Sequence, residues 1–395
     1  MLSFKTFLIE AVENTPEPLQ VKHITHVEDH PLQNGSKGFE HAHGTLMAAH
    51  KHIKSGKTSS KLTVKYDGSP AVIYGHHPET GKFFVASKSA FNKNPKINYS
   101  ESDIEKNHGH APGLVSKLKH ALKHLPKIAP KHGIYQGDFM HDEGEKKHEG
   151  DKVSFHPNPS GLTYTATGEH AKKAKRAKIG FVTHMKYEGS NLTNLSAHSD
   201  VDYHNFSEHP DVHHIDPRYN TSKAHYDSYA QKQFLHHAET AQAIHKKYGK
   251  EMYPATERHQ GAGGHLETYI NHTVRTSQRP TAKGFKDFLK GKYETAQTKY
   301  KTSAKKEQLK QELDNHIQHI TKNDAHYNNL FNMHHHLQQA KNVLITALNH
   351  HQEFEHSHHG EKANPEGYVI HHQGSPSKLV QRDEFSRRNL LGRNR

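Results

Sequence analysis

The spacing of hydrophobic residues changes twice along the chain. Between residues 61 and 206, apolar residues come in short β-prone runs bounded by glycine, proline or charged residues. Such runs predict strands, and they cover residues 62–64, 71–74, 83–86, 133–135, 163–165 and 179–183. One helix is predicted among them by a helical spacing of leucines, at Leu114, Leu118, Leu122 and Leu125.

The spacing becomes helical from about residue 220 to 355. Two apolar stripes run through this region, at Leu309, Leu313, Ile317 and Ile320 and at Leu330, Phe331, Leu337, Leu344 and Leu348. Strand character returns at 366–370 and 378–380. This order predicts an α+β fold with a helical module inserted into it. We expect three parts, namely an N-terminal helical extension (1–60), an α+β domain (61–219 and 356–395) and the helical insertion (220–355).

Composition adds a positive charge and an unusual number of histidines. The formal net charge of +13 suits a polyanionic partner such as nucleic acid, but it also suits a merely soluble basic protein. The 44 histidines show no repeated ligand spacing. Without cysteine, a structural zinc site would need three or four histidines or carboxylates to converge. We therefore expect most histidines at the surface.

The same features indicate a soluble, cytoplasmic monomer with no membrane partner. The sequence contains no cysteine, which fits a reducing compartment. No apolar run approaches membrane-spanning length. Lys5 and Glu10 interrupt the first ten residues, which lack the pattern of a signal peptide.

The motif that carries the clearest chemistry is Lys65-Tyr66-Asp67-Gly68. One β-prone segment ends at this lysine, and a second begins at Ala71. Such an order can hold a lysine amine beside a bound nucleotide, ready to attack a phosphorus atom. A lysine is nucleophilic only as the neutral amine, which requires a dry or cationic pocket. By itself, the motif favours an ordinary hairpin turn after an exposed lysine, and the nucleophile interpretation depends on the motifs downstream.

Further motifs follow in the order found in a known superfamily. Together they resemble the covalent nucleotidyltransferases, the superfamily of ATP-dependent DNA and RNA ligases and capping enzymes. The matching segments are 65–68, 87–89, 135–139, 179–182, 365–370 and 378–380. The resemblance implies a nucleotidyltransferase (ATP-grasp-like) adenylation domain of antiparallel sheets with flanking helices, interrupted by the helical insertion. The surrounding sequence also resembles a family of large-phage proteins that are typically left uncharacterised or called ligases.

The resemblance assigns a nucleophile and the cations around it. Lys65 would become linked to AMP, in a turn completed by Asp67 and Gly68. Lys88 would lie close to the nucleotide, and Lys378 would bind its α-phosphate. The alternative for both of these cations is a solvated surface lysine.

The remaining assignments concern the nucleoside and a metal ion. Asp138 would contact the ribose, Phe181 would stack on adenine, and Glu366 would help to hold the metal. Carboxylates such as Glu366, with Asp67 or Asp138, are suitable ligands for Mg²⁺ or Mn²⁺. As structural alternatives, Asp138 can cap a turn and Phe181 can be a core residue.

The chain departs from the superfamily pattern at three positions. Pro70 stands where an arginine often follows the nucleophile, and Asp138 replaces the usual glutamate. Val380 stands in place of the second lysine of the last motif. Either Arg382 substitutes for that lysine, or the site uses Lys378 alone.

The sequence offers two candidate contacts for nucleic acid. A basic run is typical of a phosphate-backbone contact, although a solvated charge run fits equally, and its members are Lys172, Lys173, Lys175 and Arg176. The helical insertion could clamp a nicked or hybrid duplex.

These features together predict an ATP-dependent polynucleotide ligase that uses ATP with Mg²⁺ or Mn²⁺. It would seal 5′-phosphate to 3′-hydroxyl ends of DNA or RNA through a lysyl-AMP intermediate. One alternative is a capping-type guanylyltransferase. The other is a non-catalytic, basic nucleic-acid-binding phage protein.

Overall fold

A computed structural model describes residues 24–56, 60–158 and 161–382, and it contains both helices and sheets, as an α+β fold requires. The described strands are β1 Lys61–Lys65, β2 Ala71–His76, β3 Phe83–Ala86, β4 Ile134–Asp142, β5 Lys147–Glu149, β6 Lys152–Phe155, β7 Thr163–Ala166, β8 Ile179–Glu188, β9 Ser196–His198, β10 Val212–Ile215, β11 Phe354–His358, β12 Glu361–Lys362, β13 Gly367–His372 and β14 Ser375–Leu379. The described α-helices are α1 His30–Ser55, α2 Glu101–His108, α3 Pro112–His124, α4 Gly168–Arg176, α5 Ser228–Thr256, α6 His265–Thr276, α7 Ala282–Thr298, α8 Ser303–Lys322 and α9 Asp324–Leu348.

The described chain divides into two compact units. Unit 1 comprises residues 64–218 and 352–365. Unit 2 comprises the described residues of 24–63, 219–351 and 366–382. The sequence assigns residues 24–60 to an N-terminal extension and residues 366–382 to the α+β domain. The described residues of both segments belong to the same unit as the helical segment.

The larger sheet of unit 1 has the strand order β10-β8-β4-β2-β3, with β9 paired to β8. Its neighbouring strands are antiparallel except for the parallel pair of β10 and β8. One face packs on α2 and α3, because alternate residues such as Val72, Tyr74 and Phe181 point to that side and meet Leu118 and Leu125. The leucine spacing that predicts a helix at 114–125 therefore corresponds to α3, whose apolar face is buried in the sheet core.

A second sheet in unit 1 has the order β12-β11-β7-β6-β5. Aromatic side chains fill its interior face, with Phe155 stacked on Tyr164 and Phe354 packed edge-on against both rings. The helix α4 covers part of this sheet through Ala171 and Ala174, both buried. The strands β11 and β12, which follow the helical segment, return to unit 1; the sequence assigned residues from 356 onward to the α+β domain but predicted no strands here.

Unit 2 combines a small sheet with most of the long helices. The sheet has the order β1-β13-β14, and residues Lys61–Thr63 of β1 belong to this unit. The stripe predicted at Leu330–Leu348 is the buried face of α9, which packs along α5. The stripe on α8 is less complete, because Leu309, Leu313 and Ile317 are only half-buried while Ile320 is fully buried. In the part of the chain that the structure describes, no helix has the length and apolar character needed to cross a membrane.

Candidate functional site

The turn that follows β1 is anchored to the second sheet of unit 1. Lys65 is the last residue of β1 and is half-buried. Tyr66 is buried, and its ring lies 5.9 Å from that of Tyr164 and 5.8 Å from that of Phe354. The backbone N–H of Asp67 donates to the Tyr164 hydroxyl at 2.9 Å. Aromatic packing and one hydrogen bond thus fix the backbone next to the lysine, which is more order than an exposed hairpin turn would have.

Gly68 rests directly on β4. A Cβ at this position would lie 2.6 Å from the Cβ of Asp138 and 2.9 Å from the carbonyl oxygen of Phe139. The next residue continues the contact, because the N–H of Ser69 donates to that same oxygen at 2.9 Å. The turn therefore approaches β4 more closely than any side chain would permit, and the glycine is required by space rather than by backbone conformation.

The carboxylate of Asp67 has a defined polar neighbour. Its Oδ2 accepts a hydrogen bond from Asn158 Nδ2 at 3.1 Å. The backbone of Gly161 lies so close that an added Cβ would stand 2.5 Å from the same oxygen. Asp67 is thus held in place by Asn158 and Gly161, and no motif in the sequence marked Asn158 as a contact.

Asp138 lies on β4 at the strand position opposite Ala71, the first residue of β2. Its Oδ2 is 3.3 Å from Nε2 of His184. His184 was not predicted as a site residue. The reason is an irregularity in the pairing of β4 with β8, where Gln136 pairs with Met185 but Gly137 pairs with Thr183. This bulge leaves His184 as the extra residue beside Asp138, and such a bulge has no signature in the sequence of a single strand.

Lys88 lies at the same end of the larger sheet. It follows β3 and is exposed, at the start of a short 3-10 helix, Lys88–Phe91. Ala86, two residues earlier, pairs with Ile73 of β2, and β2 begins at Ala71, the partner of Asp138. The chain therefore leaves β3 at the end of the sheet where Asp138 lies.

Phe181 is a core residue and not an exposed platform for a base, so its assignment to adenine is corrected. Its side chain is fully buried. The ring lies 5.3 Å from that of Tyr74 and 6.4 Å from that of Phe139, both edge-on, in the core between the sheet and the helices. The face of β8 that carries Phe181 is opposite to the face of the sheet reached by Gly68 and Asp138.

Glu366 and Lys378 belong to unit 2. Glu366 is buried immediately before β13. Lys378 is half-buried on β14, and it pairs with Val369 of β13. The carbonyl oxygen of Val369 accepts a hydrogen bond from Thr63 of β1 at 3.4 Å. The strands of the first, fourth and last motifs are therefore neighbours in one sheet.

Arg382 is part of a buried ionic network in unit 2, which corrects its assignment as a phosphate ligand. Its side chain is 2% exposed, and Nη1 donates to both carboxylate oxygens of Asp29 at 2.8 Å. Nη2 donates to Asn271 at 2.6 Å. The same network contains His334, 2.8 Å from Asp29, and an ion pair between Lys341 and Glu28. These partners hold the guanidinium in the protein interior. Arg382 therefore does not replace the second lysine of the last motif, where this chain has Val380.

The basic run lies on α4, and most of its charges have local partners. Lys172 pairs with Glu169 at 2.6 Å, Lys173 pairs with Glu208 at 3.0 Å, and Lys175 donates to the carbonyl of Gly150 at 2.9 Å. Arg176 is exposed. These pairs favour the solvated-face interpretation for much of the run.

The predicted site residues are thus distributed over both units. Unit 1 holds Lys65, Asp67, Gly68, Lys88, Asp138 and Phe181, whereas unit 2 holds Glu366, Lys378 and Arg382. Within unit 1, the structure brings the lysine turn, Asp138 and His184 together and places Lys88 at the same sheet end. A cavity of about 820 Å³ lies at the opposite end of that sheet, around His76, Gly133 and Tyr187, and none of the predicted residues lines it.

Comparison with known proteins gives a family without an assigned activity. No curated protein matches the chain. No solved structure matches it either. The model of one family, described as a family of unknown function (DUF6267), matches residues 21–393. Because this match covers almost the whole sequence, the chain belongs to the DUF6267 family.

Proposed function

We propose that this protein is an ATP-dependent polynucleotide ligase that works through a lysyl-AMP intermediate. The observation that carries the proposal is the contact between the Lys65–Gly68 turn and Asp138 on β4. It joins two motifs that are about 70 residues apart in sequence (138 − 65 = 73) and that the superfamily uses around one nucleotide. The order β1-β13-β14 adds support, because it makes the strands of three motifs neighbours.

In the first step, Lys65 Nζ attacks the α-phosphorus of ATP. A phosphorus–nitrogen bond forms, the bond to the β-phosphate oxygen breaks, pyrophosphate leaves, and the amine loses a proton. The backbone on the C-terminal side of the lysine is fixed by Tyr66 and by the hydrogen bond from Asp67 to Tyr164. A fixed turn holds the nucleophile in line with the phosphorus, and such positioning supplies a large share of the catalysis in phosphoryl-type transfers.

Asp138 and Lys88 supply the polar groups around the nucleotide. Asp138 would accept a hydrogen bond from the ribose or bind the metal, and its half-buried carboxylate has the hard oxygen atoms that Mg²⁺ prefers. A bound Mg²⁺ would neutralise charge on the triphosphate. The exposed Lys88 would add a fixed positive charge that stabilises the negative charge gathering on the phosphate.

In the second step, AMP passes from Lys65 to a 5′-phosphate at a strand end, which regenerates the free amine. In the third, a neighbouring 3′-hydroxyl attacks that phosphate and expels AMP, so that a phosphodiester bond forms. The net charge of +13 would attract such a polyanionic substrate. We also propose that the helical segment 220–355 clamps a nicked or hybrid duplex. Lys378 would bind the α-phosphate, and Glu366 would bind the metal ion.

The test is covalent labelling of the metal-free, nucleotide-free protein with α-³²P-ATP, and separately with α-³²P-GTP, in the presence of Mg²⁺. We expect label from ATP that survives denaturation and alkali but is released by prolonged acid treatment, as a phosphorus–nitrogen bond requires, and that Lys65→Ala and Lys65→Arg abolish. Lys61→Ala is the matched control, because this lysine lies on the same strand and is exposed; it should label normally. Peptide mapping should place one AMP on Lys65.

The other outcomes decide between the alternatives. Label from GTP alone would replace the ligase proposal by a capping-type guanylyltransferase. Absence of label from both nucleotides, in protein shown by mass to carry no AMP, would overturn the enzyme and leave a non-catalytic nucleic-acid-binding protein. Label from ATP justifies sealing assays on nicked DNA, RNA and hybrid duplexes.

A further inference from the structure

Three histidines from separate segments meet in unit 2. His259 ends a short 3-10 helix after α5, His265 is the first residue of α6, and His316 lies in the middle of α8. One ring nitrogen from each lies within 4.8 Å of those of the other two. Nε2 of His259 and Nδ1 of His316 are 2.8 Å apart. The chain makes this convergence possible with the glycine-rich turn Gly261-Ala262-Gly263-Gly264, which brings it back from His259 to His265.

The cluster is enclosed by aromatic side chains. His259 is 1% exposed and His316 is 8% exposed. The ring of Phe285 packs edge-on against His259 at 5.2 Å, and that of Tyr293 lies 5.8 Å from His316. Imidazoles in such a place need polar partners, since burial without them costs free energy.

The outward nitrogen of one ring has a hydrogen-bond partner, and that of a second ring faces a carboxylate. Nδ1 of His259 is hydrogen-bonded to the hydroxyl of Tyr327. Nε2 of His316 lies 3.9 Å from Oε1 of Glu312, and that oxygen accepts a hydrogen bond from Tyr293 at 2.8 Å. In metal sites, an outer group on the second nitrogen orients the ligating histidine, and the Tyr327 hydroxyl holds that position for His259.

The third ring has an unsatisfied nitrogen. Nδ1 of His265 is buried and has no hydrogen-bond partner in the described parts of the chain. Buried polar atoms in folded proteins are almost always satisfied, so an unsatisfied nitrogen on one of three clustered imidazoles points to a ligand.

We propose that His259, His265 and His316 bind one divalent transition-metal ion, with Zn²⁺ as the best-suited ion. Three imidazole nitrogens and one open position for water give the tetrahedral geometry that Zn²⁺ prefers. At Zn–N distances of about 2.0–2.1 Å, the ligand nitrogens lie roughly 3.4 Å apart. The present separations, 2.8 Å for one pair and at most 4.8 Å for the others, reach that value through small side-chain movements.

The chemistry of the donor set selects the ion and separates this site from the nucleotide site. Neutral imidazoles suit Zn²⁺, Co²⁺, Ni²⁺ and Cu²⁺, whereas Mg²⁺ prefers oxygen ligands. A bound ion would cross-link the end of α5, the start of α6 and α8. It therefore stabilises the helical part of unit 2, whatever the outcome for the ligase proposal.

The test uses the full-length protein, stripped of metal with a chelating resin, and Zn²⁺ alone as the probe. We expect one site with a Kd below about 1 μM in competition with a chromophoric chelator, a rise in the unfolding temperature with Zn²⁺, and a tetrahedral visible spectrum with Co²⁺. His265→Asn and His316→Asn should each weaken that site by more than the roughly 10- to 100-fold that loss of an outer partner costs.

The control addresses adventitious binding by the other histidines. His237 and His336 are also in unit 2, with their Nδ1 atoms 3.0 Å apart, and His237→Asn should leave the tight site unchanged. The proposal is overturned if the wild type has no such site, if both cluster variants keep it, or if the control loses it equally. Should a cluster variant not fold, the Co²⁺ spectrum and the X-ray absorption of the Zn²⁺-loaded wild type decide, because a site without histidine nitrogen ligands contradicts the assignment.

Discussion

Gly68 and Asp138 are in van der Waals contact, with no room for a methyl group between them. An added Cβ at residue 68 would lie 2.6 Å from the Asp138 Cβ. This contact aligns the turn after Lys65 with β4, the strand that carries Asp138.

Replacing Gly68 by alanine should displace the turn. The new methyl group collides with Asp138 and with a backbone oxygen, which cannot move far, and we expect a loss of about 1–3 kcal/mol in the free energy of unfolding. Labelling of Lys65 by ATP should fall at least tenfold, because the nucleophile moves with the turn. Gly113→Ala in α3 is the control, since a Cβ there meets nothing within 4 Å. An active and fully stable Gly68→Ala protein would contradict the contact.

Asp138 and His184 can be separated by their effects on the proposed reaction. Asp138→Asn keeps the shape of the side chain but removes its charge, and under the ligase proposal it should lower the rate of lysyl-AMP formation by about 10²-fold. His184→Gln removes the partner 3.3 Å away and should have a smaller effect, mainly through orientation of the carboxylate. The measurement is the single-turnover rate of labelling at saturating ATP. Equal rates for Asp138→Asn and wild type would exclude Asp138 from the site.

Acid should destabilise the protein through its buried histidines. Burial lowers the pKa of His356 to about 4, below the usual value of 6.5. Because the unfolded chain takes up the proton first, the stabilisation is complete above about pH 6.5 and is lost as the pH falls toward 4. For this one residue, the loss at pH 5 is about 2 kcal/mol.

The variant His356→Phe tests this sign. It keeps a ring against Tyr164 and removes the titrating group, so the free energy of urea unfolding should drop less between pH 7 and pH 5 than in the wild type. His148→Phe on the exposed strand β5 provides the comparison and should retain the wild-type pH dependence. A steeper dependence in His356→Phe would show that the sign is wrong.

Arg382 should matter for folding. Arg382→Ala leaves the carboxylates of Asp29 and Glu28 buried without their guanidinium, and breaking a buried pair in this way costs about 3–5 kcal/mol. Arg279→Ala removes an exposed arginine of the same unit and should cost less than about 1 kcal/mol. Urea unfolding followed by circular dichroism gives both values. If Arg382→Ala unfolds like the wild type and loses only nucleotide binding, the phosphate-ligand assignment would be reinstated.

Local sequence features predicted the elements whose neighbours are close in the chain. The leucine spacing at 114–125 and at 330–348 identified α3 and α9, because helical periodicity reflects burial of one face. Short β-prone runs likewise identified β2 and β3. The motif around Lys65 correctly marked a turn between two strands.

Tertiary packing decided the environment of each candidate side chain. Phe181 has a ring suited to stacking, but it lies on the strand face that points into the core. Arg382 has a guanidinium suited to phosphate binding, but it is buried with Asp29 as its partner. His184 reaches Asp138 only because of a bulge between two strands.

The histidines show the same limit. Their number and the absence of cysteine were evident in the sequence, and their irregular spacing gave no ligand pattern. His259, His265 and His316 come together because α8 returns to the start of α6 from about 50 residues away (316 − 265 = 51). The sequence by itself determined the elements, the charge and the lysine turn, since these depend on near neighbours. Only the tertiary structure decided which distant side chains meet, because that depends on how the faces of helices and sheets are buried.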